Sequence, residues 1–570
     1  MVVVVSTMMI SQAVGLMKRM VVLVFLVMAA VGMITVASAA SPVLVTRGPY
    51  LDSVSSNEAT VRIATTATGG GFGVGVSFGM PPSASPAAAG DGVHIKYRKR
   101  SATSSSTTTT NESPVNKATA KPTTSGEYAF TLSSLQPNTI YEYQVVLPNN
   151  GGGGAAAFPF AFRTYPSTSA SSSYPITLWA IGDSGEGSPT AKETVDRFLK
   201  DQQLIPWHAT LALGDNAYQI GSAPEYDTKF FRMFGAALAL APVSATVGNH
   251  EAIANRLGME RGAHFDRFGR TSSGSLKPPQ APSNDIQQFL LRGGGAAAAA
   301  SSSKSNGGGG SQLYHSFDIG RGVHVISIDS QHTAILPNGD PNFAKFQKWL
   351  VDDLERTTAD WIVVYMHHPL FSKGHHDTTR DSDHKYSILR QRLVPVFDKH
   401  GVDIVLSGHS HAYERTTSAL FNNERVQDSA DGDCLDVTSG TAYVVTGSAS
   451  KKNPGQFNHP LMGVGLFESG SVILRAESPQ RMNVRFLSNE GDGDEFQIVK
   501  GSGASCDGDS SEVRTLSLAS QNLQEVEMKR NGVWRERVPS GRFGVRPSKR
   551  SSTASPVPAT TASYYARVLG

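Results

Sequence analysis

Apolar positions along the chain fall into two patterns. Five short runs rich in β-branched residues lie between Ile176 and Ser407: Ile176–Ile181, Thr210–Leu213, Val243–Val247, Trp361–Met366 and Val402–Ser407. Runs of this length and composition predict buried strands. Between them Thr190–Lys200, Glu225–Phe234, Phe343–Leu354 and Leu389–His400 place apolar residues at helical spacing, which predicts helices covering a largely parallel sheet. Upstream, Glu58–Ala64, Tyr128–Leu132, Tyr141–Leu147 and Phe158–Arg163 alternate polar and apolar residues, the mark of half-buried strands. Downstream, Thr441–Thr446, Gly463–Glu468 and Asn483–Leu487 read as further strands finishing the domain as a meander. The predicted architecture is α/β, a two-sheet sandwich of strands and helices, preceded by an all-β sandwich.

Each of the five buried runs ends in residues able to bind metal. They lead into Gly182-Asp183-Ser184-Gly185, Gly214-Asp215-Asn216-Ala217-Tyr218, Gly248-Asn249-His250-Glu251, His367-His368-Pro369 and Gly408-His409-Ser410-His411. Ligands of open α/β sheets gather beyond the carboxyl ends of the strands. Two Asp, an Asn, a Tyr and three His make an oxygen and nitrogen set without sulfur, suited to iron, zinc or manganese. The set is too large for one first-row ion and fits two ions sharing a carboxylate. Glycine before the ligands is expected to permit sharp turns and close backbone approach. His315 and His324 lie inside strands and read as structural.

Composition narrows the function classes. With 570 residues, net charge +3 and 17% charged residues, the chain is long enough for at least two domains and gives no electrostatic argument for nucleic acid. Neither a dinucleotide nor a P-loop fingerprint occurs. Lys18-Arg19, the apolar run Met20–Val36 and Ala37-Ser38-Ala39 read as a signal peptide over residues 1–39, with an uncleaved anchor as the rival reading. Ser101–Thr110 and the Gly/Ala/Ser run Gly293–Ser311 read as flexible loops. Residues 501–570, basic and Ser/Pro-rich toward the end, read as a disordered tail. Asn111-Glu112-Ser113 is one candidate glycosylation acceptor. Cys434 and Cys506 are the two cysteines; an even pair in a secreted chain suggests one disulfide, though their contact is not legible.

The blocks GDSG, GDNAY, GNHE, VYMH and GHSH, in this order, resemble the five signature blocks of the purple acid phosphatases, two-metal members of the metallophosphoesterase superfamily. The resemblance covers about Tyr174 to Leu487. Leu135-Gln-Pro137-Asn-Thr139-Ile-Tyr141 resembles the tyrosine corner of fibronectin type III domains. Arg47-Gly48-Pro49-Tyr50-Leu51 resembles the opening of the sandwich that precedes many large purple acid phosphatases. The expected organisation is therefore a fibronectin type III-like domain over residues 41–166 and a metallophosphoesterase domain over 173–490.

The resemblance implies that Asp183, Tyr218 and His411 hold a ferric ion and that Asp215 bridges. Asn249, His367 and His409 would then hold a divalent iron, zinc or manganese. It further implies that His250 contacts phosphate and that His375-His376, one residue short of the plant spacing, supply a pocket histidine, with His376 favoured. His368 is expected to face away from the metals, since neighbours in a strand point oppositely. The implied activity is that of a secreted, extracellular, vacuolar or cell-surface acid phosphatase in which an activated hydroxide attacks small phosphate monoesters. No stable membrane insertion is expected after signal cleavage. A phosphodiesterase or nucleotide pyrophosphatase on the same site is the alternative. A surface-binding protein with a vestigial site is the third, and the intact ligand positions argue against it.

Overall fold

The computed structural model describes residues 43–65, 92–100, 113–123, 126–148, 158–170, 173–203, 205–256, 264, 268, 313–380, 384–426 and 433–501. The expected signal peptide, the Ser/Thr run, Asn111, the Gly/Ala/Ser insertion and the tail beyond 501 lie outside these residues.

Among the described residues seven strands come first: β1 (Val45–Val54), β2 (Ala59–Thr65), β3 (His94–Lys99), β4 (Asn116–Thr119), β5 (Glu127–Leu132), β6 (Ile140–Val146) and β7 (Phe160–Arg163). They form two antiparallel sheets, β1-β2-β5 and β4-β3-β6-β7, whose inner residues include Val61, Phe130, Ile95 and Tyr143. The predicted corner is present, since the Gln136 amide donates to Tyr141 Oη at 2.9 Å. This all-β unit packs closely on the domain that follows. Arg47 pairs with Asp227 at 2.7 Å, Tyr143 Oη donates to the Ala239 carbonyl at 2.8 Å, and Tyr50 stacks obliquely on Phe231.

The second domain is built on two seven-stranded sheets. In chain order its strands are β8 (Ile176–Ile181), β9 (Ala209–Ala212), β10 (Val243–Ala245), β11 (His315–Ile319), β12 (Val323–Ile328), β13 (Trp361–Met366), β14 (Ile404–Ser407) and β15 (Tyr413–Thr416). After the small hairpin β16 (Leu420–Phe421) and β17 (Glu424–Arg425) come β18 (Cys434–Asp436), β19 (Ala442–Thr446), β20 (Met462–Leu466), β21 (Gly470–Ser478), β22 (Arg481–Ser488) and β23 (Asp494–Val499). One sheet runs β10-β9-β8-β21-β22-β23-β18 and the other β11-β12-β13-β14-β19-β15-β20. Parallel pairing joins β10, β9 and β8 in the first and β12, β13, β14 and β19 in the second. Antiparallel pairing continues through β21, β22 and β23 in the first sheet and through β15 and β20 in the second, as the meander reading expects, while β18 pairs parallel with β23 at the edge.

Alternation explains why the five runs are apolar throughout. Leu178 and Ala180 point into the core between the sheets, whereas Trp179 and Ile181 pack under the helices, beside Phe198 and Phe234. In β13, Val363 and Tyr365 face inward while Val364 and Met366 meet Phe346 and Phe397 on the outer face. A strand covered on both faces needs apolar residues at every position. The covering helices are Pro189–Asp201, Pro341–Arg356 and Lys385–His400, each close to its predicted span. Residues 223–238 are helical as expected, but with a π-helical middle over Tyr226–Phe231, a local widening that no periodicity announces.

The two in-strand histidines bond within the fold. His315 Nε2 meets Ser244 Oγ at 2.7 Å, and His324 lies between Asp318 and Asp353 at 2.6 and 3.1 Å. Cys434 is disulfide-bonded; Cys506 lies outside the described residues. No helix among the described residues is long and apolar enough to cross a membrane.

Candidate metal centre

The carboxyl ends of β8, β9, β10, β13 and β14 converge at one place, and their polar side chains form two groups joined by one carboxylate. In the first group, Tyr218 Oη donates to Asp183 Oδ1 at 2.8 Å, and His411 Nε2 lies 3.3 Å from the same oxygen and 3.4 Å from the phenol. In the second, His367 Nε2 lies 2.9 Å from Asn249 Oδ1 and 3.2 Å from His409 Nδ1. Asp215 Oδ2 touches both, 3.0 Å from Tyr218 Oη and 3.5 Å from His367 Nε2. Seven donor atoms thus meet within hydrogen-bonding range of one another, six of their side chains being buried.

The outward atoms of the histidines show which nitrogens face inward. His367 Nδ1 donates to the Leu213 carbonyl at 2.9 Å, and His411 Nδ1 to Asn453 Oδ1 at 2.6 Å. His409 Nε2 lies 3.2 Å from Tyr386 Oη. With one ring nitrogen of each engaged by the protein, the other is left for the centre, which is how histidine ligands are oriented for metal. The donor set therefore fits two cations. Carboxylate and phenol oxygens on the Asp183 side suit a hard, highly charged ion, and the Asn/His/His side suits a divalent one.

Electrostatics supports that fit. Burial alone would raise Asp183, yet the hydrogen bond and charge of His411 outweigh it and hold the carboxyl at about 2. Burial and then the charges of Asp183 and Asp215 push the Tyr218 phenol well above its ordinary value. A buried phenol wedged between two carboxylates ionises only if a cation replaces its proton.

His368 is a special case. One of its ring nitrogens lies within 4.8 Å of ligand atoms of His367 and His409. However, its Nδ1 is 3.0 Å from Ser330 Oγ and its Nε2 is 3.4 Å from Lys385 Nζ. Both nitrogens are engaged away from the convergent donors, so we leave it out of the ligand set.

The glycines act chiefly through space. A Cβ on Gly248 would stand 2.1 Å from Asp215 Oδ1, and one on Gly408 would stand 2.5 Å from Asp183 Oδ2. The unusual backbone is shared between glycine and candidate ligands: Gly214 has φ of 87°, and Asp183, Asp215 and His409 adopt φ of 54°, 51° and 65°. Non-glycine residues held there cost about 1–3 kcal/mol each, a concentration of strain characteristic of functional sites.

Over this floor stands a rim of histidines. His250 Nδ1 donates to the Gln219 carbonyl at 2.5 Å, which leaves Nε2 turned inward, 3.9 Å from Asp215 Oδ2. His376 stacks on His409 at 3.8 Å between centroids, and His375 stacks on His411 at 5.6 Å. Burial and then the charges of His375 and His411 push His376 down to about 3. His375, less buried, is lowered by burial and then by the charges of His411 and Lys451. Lys451 sets its ammonium 3.4 Å from the centre of the Tyr218 ring and 3.6 Å from Glu186.

Sequence reasoning gave no role to the supporting residues. Glu251, 3% exposed, accepts from the amides of Gly248, Asp215, Asn216 and Ala217 at 2.7–3.2 Å and from Tyr226 Oη at 3.2 Å. One carboxylate thus ties the second and third ligand loops together. Burial and then Asp215 raise it to about 7, against those amides. Glu251 sits inside the GNHE block, so the motif itself was a signal. Asn453 follows the end of β19 at the same sheet edge, which was a weaker one. Tyr386 had none.

Residues 176–413, which hold this cluster at the strand ends, match the family described as calcineurin-like phosphoesterase, a metallophosphoesterase domain. Within that class the chain is similar to purple acid phosphatases. It is 27% identical over 290 residues to the probable purple acid phosphatase 20 of Arabidopsis thaliana, covering 50% of this chain and 54% of the relative. It is 24% identical over 392 residues to the human acid phosphatase type 7, covering 65% and 76%. The chain thus spans little more than half of the plant relative. A purple acid phosphatase from yellow lupin seeds shares the fold, with a TM-score of 0.53 at 16% identity over 80% of this chain and 74% of that one.

Proposed function

We propose that this protein is a secreted acid phosphatase that hydrolyses phosphate monoesters at a dinuclear centre holding a ferric and a divalent ion. The observation that carries this reading is the convergence of seven oxygen and nitrogen donors in two groups sharing Asp215. Asp183, Tyr218 and His411 would hold the ferric ion, Asn249, His367 and His409 a divalent iron, zinc or manganese, and Asp215 both. Two such cations, when bound, acidify water and neutralise phosphoryl charge.

The chain's own residues do the rest. With its Nδ1–H on the Gln219 carbonyl, His250 turns Nε2 inward, where in the imidazolium form Nε2–H would donate to a phosphoryl oxygen. His375 and His376 stand above the centre, where a ring N–H can protonate the departing alkoxide oxygen. Burial keeps His376 neutral until an anion arrives; a bound phosphate supplies the negative charge that favours its protonated form. Lys451 adds a fixed positive charge beside the same opening, and a dianionic monoester gains more from it than a monoanionic diester. The substrate is a small phosphate ester, and the sequence features of residues 1–39 support export.

The test compares p-nitrophenyl phosphate with bis(p-nitrophenyl) phosphate on the purified chain, with metal analysis and a visible spectrum of the same sample. Monoester turnover at acid pH, about two metals per chain and a visible band lost in Tyr218→Phe are expected. A preference for the diester would replace the monoesterase reading by the phosphodiesterase one. A protein that stays metal-free after loading would end both.

A further inference from the structure

The stretch 372–376, which brings His375 and His376 over the centre, has no strand or helix of its own. Its attachment runs instead to one buried carboxylate. Glu414, on β15 and 0% exposed, accepts from the Lys373 amide at 2.9 Å, the Gly374 amide at 3.1 Å and Ser372 Oγ at 2.5 Å. Ser372 Oγ lies 3.0 Å from Ser410 Oγ, and the His376 amide points at Ser410 Oγ at 3.4 Å. Ser410 stands between ligands His409 and His411, so the network joins the histidine loop to the last ligand block.

A second side closes the clamp. The Lys373 carbonyl accepts from the amides of Gln456 and Phe457, both at 2.9 Å. Gly455 packs so tightly on Gly374 that a Cβ there would stand 2.3 Å from its Cα. The same 453–457 segment supplies Asn453 to His411. A buried carboxylate without partners is heavily penalised, and the loop supplies the partners that Glu414 needs.

We infer that Glu414 is a positioning residue that fixes His375 and His376 over the metal ligands by gathering the amides of Lys373 and Gly374 and the hydroxyl of Ser372. The inference rests on the reading of those histidines as groups that meet substrate. It explains how a loop with no regular structure can hold imidazole rings in register with His409 and His411. In Glu414→Gln one carboxylate oxygen becomes an NH2, which opposes amide donors with another donor and frees the loop on one side. A displacement of about 1 Å at such a site is enough for a loss of about 100-fold.

Two measurements on the full, metal-loaded chain decide it. Hydrogen exchange of the Lys373 and Gly374 amides should accelerate at least about tenfold in Glu414→Gln, while the amides held by Glu251 stay protected. The kcat of Glu414→Gln should fall with metal content unchanged. The same substitution in a His375→Ala/His376→Ala chain should then change kcat less than about twofold, because its effect passes through those rings. Provided the wild type is active, equal losses in both backgrounds, or loop exchange unchanged in Glu414→Gln, would overturn the inference alone. A metal-loaded wild type inert toward phosphate esters would sink the phosphatase reading and the inference with it. Should Glu414→Gln fail to fold, Ser372→Ala removes one arm of the clamp and takes the same two measurements.

Discussion

The floor of the centre and its rim are held by the same device and differ in how much else constrains them. Glu251 collects four backbone amides beneath the ligands, and Glu414 collects two beneath the histidine loop. Around Glu251, however, the ligands are also fixed by strand ends, by glycines that admit no side chain and by left-handed backbone at Asp183, Asp215 and His409. Around the loop that Glu414 holds, the comparable constraint is the close packing of Gly374 against Gly455 and Ser410, and the rest is loop and hydroxyl. A floor so constrained can keep cations in place through turnover, whereas a rim held at a few points can adjust to different esters. Metal chemistry would then be the invariant half of the site and substrate choice the variable half.

The sharpest way to break this comparison is to remove the carboxylate shared by both donor groups. Asp215→Ala should lower activity by about a thousandfold or more and reduce the metal content. Retention of two ions would mean that Asp215 is no bridge. Next in size is Gly248→Ala. Its Cβ would sit 2.1 Å from Asp215 Oδ1 and 2.3 Å from the Asp215 amide nitrogen, so backbone must move. We expect a loss of about 3 kcal/mol by urea denaturation together with weaker metal retention. A variant as stable as wild type would show that the floor yields more than its packing implies.

The rim should respond in the opposite way. His376→Ala is expected to keep its metals and its melting temperature while kcat drops about 100-fold, the scale of a lost proton donor. His375→Ala, whose ring lies farther from its stacking partner, should lose less. Assays beside metal analysis separate these outcomes, and metal loss in either variant would move that histidine from rim to floor.

The same contrast explains what could be read before the structure. Donors at strand ends are legible because apolar run, glycine and ligand are adjacent in the chain; Asp183, Asp215, Asn249, His367 and His409 each follow directly from local pattern. The covering helices and the tyrosine corner were legible for the same reason. Glu414, Asn453 and Tyr386 act across 40, 42 and 23 residues of sequence, and no local period encodes such pairings. The choice between His375 and His376 was open on spacing alone, since two adjacent loop residues have no strand alternation to tell them apart. Both rings prove to approach the centre, stacked on different ligands. The π-helical turn over Tyr226–Phe231 was also invisible, although Tyr226 reaches Glu251 from it.

A histidine belonging to neither floor nor rim supplies the control for any acid-pH experiment. His324, buried in β12, is flanked by Asp318 and Asp353. Burial would lower it, but the hydrogen bonds and charges of the two carboxylates prevail and raise it from 6.5 to about 9. Because the folded chain holds this proton more tightly, the stabilisation is complete below pH 6.5 and disappears as pH rises through about 9. The shift corresponds to at most about 3 kcal/mol, and the partly open Asp318 brings the expected value nearer to about 2 kcal/mol. Urea denaturation of His324→Gln should therefore show that deficit at pH 6 and little of it at pH 9.5 or above, with kcat of the folded fraction unchanged at both. A deficit of equal size at the two pH values would assign His324 to packing rather than charge. A change in kcat would mean that the fold's own proton is coupled to the rim, and the pH profile of activity could not then be ascribed to His375 and His376.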